Sequence, residues 1–410
     1  MRKNGVNRQL IPIDGGVCAP VGFSANAVRC GFLPDTVASK EDLALIVANK
    51  NYPTAFVGAN SAVCGAPILL SKKHLRAGKA RAIIVNSGVA NAIGDGAYTL
   101  SEEVCRAIAK RLRADANEIV IASTGKLGEK ISLQTFLNGM DVLVQGLSSS
   151  NENSLAAARA IMTDDVREKQ LAFSFEIGDI TCKIGAICKG NTQVSPNMAT
   201  TICVLTTDVN ITSEMLQKAL SGTVNDTLNM LCIDGVSSPN DCVCIMASGE
   251  AGNYKISAND SEYAKFIFAL GETMDRICRL LASERKGCKQ LLICKTFGAQ
   301  SKRVARLIAK SAVRADGVKN AFACGVIDVQ NLLCAIIGTN ERVDINKIVI
   351  SVKTKNGQIT VFEDGTCIHL SEDTEKRLLD ADEIECDIHL FDGNYSATAY
   401  GCIFSKEYSE

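Results

Sequence analysis

Tryptophan is absent from the 410 residues, and only three histidines occur: His74, His369 and His389. So little imidazole argues against a histidine-rich zinc site and leaves few bases for a Ser-His-Asp enzyme. No two of the 18 cysteines stand in Cys-x-x-Cys spacing, so they read as small core hydrophobes of a reduced chain, with no metal site expected. No apolar run approaches 18 residues, so no spanning helix is expected. The first ten residues carry charges without an apolar core behind them. No signal peptide is therefore expected, and the expected location is cytoplasmic. Basic and acidic residues number 44 and 45, a net charge of −1, which supplies no field for nucleic acid or anionic lipid. Phosphate-loop, dinucleotide-binding and Gly-x-Ser-x-Gly motifs are missing too.

What is present suits a globular chain: 47% hydrophobic and 22% charged residues, which excludes disordered, collagenous and coiled-coil classes. Thr99-Leu-Ser-Glu102 reads as a capping box opening a helix with Val104, Ile108 and Leu112 on one face. A strand is expected at 118–123, a helix around 155–162 and a strand pair near 173–187. Longer helices are expected at 213–231, 262–283 and 301–313. Asn356-Gly357 signals a type I′ hairpin. Ile384, Cys386, Ile388 and Leu390 alternate as a strand, and Asp392-Gly393 turns the chain into a last one. This mixture indicates α+β layers, not a doubly wound sheet.

Three segments could carry chemistry. Ala199-Thr200 lies within Pro196-Asn-Met-Ala-Thr200. A threonine hydroxyl becomes a nucleophile beside a base, and the nearest base is its own amine once the preceding peptide bond is cut. The hydroxyl can attack the Ala199 carbonyl through a five-membered ring. On residues alone, Thr200-Thr-Ile-Cys-Val-Leu205 reads more readily as a plain strand. Ala122-Ser-Thr-Gly-Lys-Leu-Gly128 and Asn86-Ser-Gly-Val-Ala-Asn91 each follow a strand with a glycine turn. Such turns expose N–H groups and hydroxyls to an oxyanion, or serve as ordinary strand-to-helix turns.

Taken in order, these segments resemble the ornithine acetyltransferase family, also called glutamate N-acetyltransferase. The resemblance begins at Gly15-Gly-Val-Cys-Ala-Pro-Val-Gly-Phe23 and continues through Asp42-Leu-Ala-Leu-Ile46, Ser71-Lys-Lys-His-Leu75, Asn86-Ser-Gly88 and Ser123-Thr-Gly125. Ala160-Ile-Met-Thr163, Lys189-Gly190, Pro196-Asn-Met-Ala-Thr200, Thr206-Thr-Asp208, Asn240-Asp241 and Gly401-Cys402 extend it over nearly the whole chain. It implies an α-β-β-α sandwich that cuts itself between Ala199 and Thr200, giving an α chain of 1–199 and a β chain of 200–410. Thr200 would be the nucleophile, and Thr124 and Gly125 the oxyanion hole. Lys189, Thr163, Thr200 and Glu284 would bind substrate. The implied reaction moves an acetyl group from N2-acetylornithine to glutamate through acetyl-Thr200, in arginine biosynthesis. No cofactor is implied, and acetyl-CoA stands as a further acetyl donor. The implied assembly is an α2β2 heterotetramer.

The resemblance thins in the substrate region. In Glu284-Arg-Lys-Gly-Cys-Lys-Gln290, alignment on Gly287 puts Lys286 where the family has a carboxylate. Leu332 stands where the family has an arginine, and the family's Asn-Ala-x-Tyr-Arg ending has no counterpart. Val89, Lys126 and Val166 are smaller departures. A cation in place of an anion beside an α-amino group opposes binding. Two alternatives stay open: a related acyltransferase or amidase acting on another small amine or amide, and a non-catalytic relic. Lys286 and Lys126 would suit a more acidic ligand, or simply a solvated face.

Overall fold

Runs of β-branched and small apolar residues build two sheets, each in its own unit. The computed structural model describes residues 9–33, 40–190, 201–233, 238–284 and 287–405. Contacts divide the chain into one unit of 1–190, 197–224 and 237–275, and a second of 191–196, 225–236 and 276–410. This division follows packing; the expected cleavage boundary at 199/200 is a covalent one.

The first unit holds β1 (Ile11–Pro12), β2 (Phe23–Val28), β3 (Leu43–Gly58), β4 (Lys79–Asn86), β5 (Ile119–Ser123), β6 (Lys169–Ile177), β7 (Ile180–Lys189) and β8 (Ile202–Thr207). β9 (Leu231–Cys232) belongs to the second unit, and β10 (Cys242–Ala247) returns to the first. The helices here are α1 (Ala66–His74), α2 (Ala97–Leu112), α3 (Leu133–Gln145), α4 (Asn151–Ala160), α5 (Ser213–Asp226) and the start of α6 (Ser261–Ser283). The strand order is β1-β6-β7-β8-β10-β3-β4-β5, with β2 also on β3. β3 is long enough to serve two limbs. Its first half pairs with β2 and β4, and its last residues pair with β10.

Alternation along the strands sorts the side chains into layers. Ala44, Ile46, Ile83, Val85 and Val120 share one core with Ile187, Ile202, Val204, Cys242 and Cys244, so the inner faces of both limbs are buried together. Leu43, Leu45, Ile84 and Ile121 point the other way, onto Val104 and Ile108 of α2 and Phe136 and Met140 of α3. Cys203, Leu205, Val243 and Ile245 are just as buried, and α5 and α6 supply apolar faces at Leu216, Leu220, Phe266 and Leu270. The layering is that of an α-β-β-α sandwich, as expected. Each fully buried Val, Leu, Ile, Phe or Met side chain here contributes about 1.5–3 kcal/mol.

The second unit is a seven-stranded sheet. With β9 it contains β11 (Cys288–Ala299), β12 (Val349–Thr354), β13 (Gly357–Glu363), β14 (Thr366–Cys367), β15 (Glu383–His389) and β16 (Tyr395–Phe404). Helices α7 (Lys302–Arg314), α8 (Asp316–Ala323), α9 (Val329–Ile337) and α10 (Glu372–Leu379) accompany it. Ile384, Cys386, Ile388 and Leu390 all enter its core, as their alternation predicts.

Three local expectations need correction. α2 starts at Ala97 behind Gly96, whose φ of +89° makes the break, so Thr99 lies inside the helix and caps nothing. α5 ends at Asp226, because Leu228–Met230 tightens into a 3₁₀ turn leading to β9. The 356–357 hairpin forms with Thr354 opposite Gly357, but among its turn residues only Gly357 has positive φ. A type I′ turn needs positive φ at both central positions, here Lys355 and Asn356. Asn356 instead keeps ordinary φ and donates its side-chain amide to the carbonyls of Arg377 and Asp380.

Candidate active site

β4 and β5 run parallel in register, Asn86 beside Ser123, and both end in a glycine turn. The turns are laced together. Thr124 N donates to Asn86 O at 2.9 Å, Lys126 N to Gly88 O at 2.9 Å, and Ala90 N to Lys126 O at 3.0 Å. Gly125 has φ +125°, and a Cβ there would stand 2.2 Å from the Gly88 carbonyl. Only glycine permits both the conformation and the approach. The Thr124 N–H is thus committed to the sheet, leaving its hydroxyl, while the Gly125 N–H meets no acceptor among the described residues. One hydroxyl and one amide side by side on a half-buried turn suit an oxyanion.

Lys189 closes β7 and is 3% exposed. Its Nζ donates to Thr124 Oγ1 at 3.2 Å, so the ammonium polarises that hydroxyl. Behind it lies Asp165, whose side chain is fully buried. Asp165 Oδ1 accepts from Lys169 Nζ at 2.8 Å and from Gly190 N at 3.0 Å, while Oδ2 accepts from Thr163 N at 3.2 Å. Burial works against the carboxylate, but Lys189, then Lys169 and the Gly190 N–H, outweigh it and hold its pKa below the usual range. Burial also lowers the pKa of Lys40, which donates to Met162 O; Asp165 opposes that shift and Lys189 adds to it.

β7 and β8 are antiparallel, with Lys189 opposite Ile202. Thr201 N, at the start of the returning strand, donates to Asp241 Oδ1 at 2.8 Å, and Cys242 N donates to Thr201 O at 3.0 Å. Around these turns, Asn86 Oδ1, Ser87 Oγ, Ser123 Oγ, Thr201 Oγ1 and Asn240 Oδ1 are buried without a partner among the described residues. Buried polar atoms are normally satisfied, so this concentration marks a site rather than ordinary core. Among the described residues, no group of three His, Cys, Asp or Glu side chains could hold a metal ion.

A model of the ArgJ family matches residues 24–410. The chain belongs to the ArgJ family. It is 33% identical over 371 residues to the arginine biosynthesis bifunctional protein ArgJ 1 of Clostridium acetobutylicum, covering 90% of both chains. It is 31% identical over 397 residues to the Caldanaerobacter subterraneus ArgJ, covering 97% of both. The chloroplastic ArgJ of rice, Oryza sativa subsp. indica, is 33% identical over 409 residues, with 97% of this chain and 86% of that one covered. Membership makes the chain an acetyltransferase of arginine biosynthesis acting on small amino-acid substrates.

Within this ArgJ frame, Thr124, Gly125, Lys189 and Thr163 fall together in the first unit. Thr163 joins the others through its N–H on Asp165, and its hydroxyl donates to Asp164 Oδ1 at 2.7 Å. Ala199, Thr200 and Lys286 lie outside the described residues. Glu284 belongs to the second unit. Leu332, at the lost arginine position, is fully buried in that unit's core. Lys126 is exposed and paired with Glu129 at 3.3 Å, which is the solvated-face reading of that lysine. Val89 is buried and bridges to Lys126, and Val166 is exposed. Most of the eighteen cysteines are buried. Burial pushes Cys18, Cys30, Cys182 and Cys386 up to about 12, as befits core thiols. Sequence reasoning gave no role to Asp165, Lys169, Lys40 or the Asn240-Asp241 pair. The pair was visible only as a motif, and the others carried no local signal.

Proposed function

We propose that this chain transfers an acetyl group from N2-acetylornithine to glutamate through acetyl-Thr200, after cutting itself between Ala199 and Thr200. The Thr200 hydroxyl adds to the Ala199 carbonyl and the C–N bond breaks, moving the α chain onto oxygen as an ester. Water hydrolyses the ester and leaves Thr200 with a free amine. That amine takes the hydroxyl proton as Thr200 attacks acetylornithine, and gives a proton to the departing ornithine nitrogen. Glutamate's amine then attacks the acetyl ester and regenerates the hydroxyl. Thr124 Oγ1 and Gly125 N–H face the oxygen that becomes negative in the two additions of the acetyl transfer. Lys189 holds a substrate carboxylate and strengthens Thr124 as a donor.

The observation that supports this most is the pairing of Lys189 with Thr124 beside the β7–β8 connection. The next residue after Thr200 is pinned there by Asp241. We further propose a cytoplasmic α2β2 assembly of chains 1–199 and 200–410, with acetyl-CoA as a second donor to be assayed. The test is intact mass and N-terminal sequencing of the wild type and of Thr200→Ala. Wild type should yield two chains, one beginning at Thr200; the variant should stay whole and lose acetyl transfer. Normal turnover in Thr200→Ala refutes the mechanism. Cleavage without transfer to glutamate would instead move the proposal to another acceptor, as the Lys286 substitution allows.

A further inference from the structure

Asn240 and Asp241 stand immediately before β10 and are each 3% exposed. They face opposite parts of the site. The Asn240 amide nitrogen donates to Ser123 O at 2.9 Å and also to Ala90 O. Those carbonyls belong to the two glycine turns, Ser123 being the residue before Thr124. Asp241 accepts from Thr201 N and, at 3.3 Å, from Ser238 N. One dipeptide therefore grips both the oxyanion turn and the strand that follows the nucleophile.

We propose that Asn240-Asp241 is a clamp that sets the position of the Thr124–Gly125 turn relative to Thr201, the residue after the nucleophile, with Asn240 the positioning residue for the oxyanion hole. This rests on the Thr200 reading above. Ser123 O closes β5 and Ala90 O lies in the turn beyond β4, so neither sits inside a strand ladder. The two-handed amide supplies the missing donors and fixes both turns at once. An oxyanion hole acts only when its donors are held at the right distance before the charge forms, so loosening it lowers kcat rather than substrate binding.

Gly65 offers an unusual handle on this clamp. Its φ of −67° and ψ of 149° suit any residue. A Cβ there would nevertheless lie 1.7 Å from Asn240 Oδ1, its next contacts being Asn240 Cγ at 2.9 Å and Pro239 O at 3.3 Å. An alanine at 65 disturbs the site by displacing the Asn240 side chain.

The experiment compares Asn240→Ala, Gly65→Ala and the double variant with wild type and Thr200→Ala. It measures cleavage by intact mass, melting, and kcat and KM for acetyl transfer. Asn240→Ala should cleave, keep KM within about twofold and lose about 10²-fold in kcat, the scale of one lost oxyanion donor. Gly65→Ala should fall in the same way. The double variant should be no worse than Asn240→Ala, because the added methyl no longer meets an amide. Unchanged kcat in Asn240→Ala overturns the clamp. So does a parallel loss in KM and melting, or multiplied losses in the double variant. If Asn240→Ala does not fold, Asn240→Asp decides: its activity relative to wild type should recover as acid protonates the new carboxyl into a donor, and a flat ratio refutes the idea. Failure of the Thr200 reading shows separately, as turnover in Thr200→Ala.

Discussion

Replacing Asp165 by asparagine changes the charge at the centre of the site and little else. Asparagine keeps the volume and one acceptor oxygen for the N–H groups of Gly190 or Thr163. Lys169, whose side chain is fully buried, then loses the counter-charge 2.8 Å away. Removing one partner of a buried pair costs about 3–5 kcal/mol. About 3–5 kcal/mol is therefore the expected loss. A chain of two units has no single unfolding free energy, so amide hydrogen exchange across β6 and β7 is the assay. Adding Lys169→Met should restore much of the loss, since no charge is then stranded there. The pH dependence is a second reading. The folded carboxyl has a pKa below its unfolded value, so its stabilisation is present above the unfolded pKa, near 4, and fades as pH falls through the folded one. Asp165→Asn should lack that acid-side fade. A single variant within about 1 kcal/mol of wild type, or a double variant worse than the single, would refute the reasoning.

Two further outcomes are expected. Leu332→Ala should cost about 2–5 kcal/mol of stability in the second unit while leaving KM for both substrates unchanged, because Leu332 is a core side chain; a raised KM at unaltered stability would restore it to the substrate site. Alkylation of the folded protein at neutral pH should mark the exposed Cys324 and Cys334 and spare Cys18, Cys30, Cys182 and Cys386, whose thiols are buried and shifted to about 12; peptide mass mapping that finds these four labelled would refute their core role.

How far the sequence is legible depends on the range of the interaction involved. Alternation is local, so Ile384, Cys386, Ile388 and Leu390 announce β15 and its buried face without help from the rest of the chain. Ser301 announces α7 in the same way, its hydroxyl capping Val304 N three residues on. The start of α2 differs from the Thr99–Glu102 pattern, which is equally local, because Gly96 breaks the chain earlier and the helix has begun before the pattern arrives. The turn at 356–357 departs from its local signal for the opposite reason. Asn356 is held by carbonyls of Arg377 and Asp380, more than twenty residues away. The site divides along the same line. Thr124, Gly125 and Lys189 stand in short motifs whose residue types already suggest donors and cations. Asp165 becomes meaningful only when β6 and β7 fold back to bring Gly190 to it across 25 positions. Asn240 reaches Ser123 across 117. No window of sequence contains both ends of such bonds, and the far partner in each is a backbone atom of a kind that every residue carries. Short motifs are therefore the legible part of such a site. The frame that holds them is written in topology, and substitutions in that frame, at Gly65 as much as at Asn240, would pass in the sequence as ordinary loop variation.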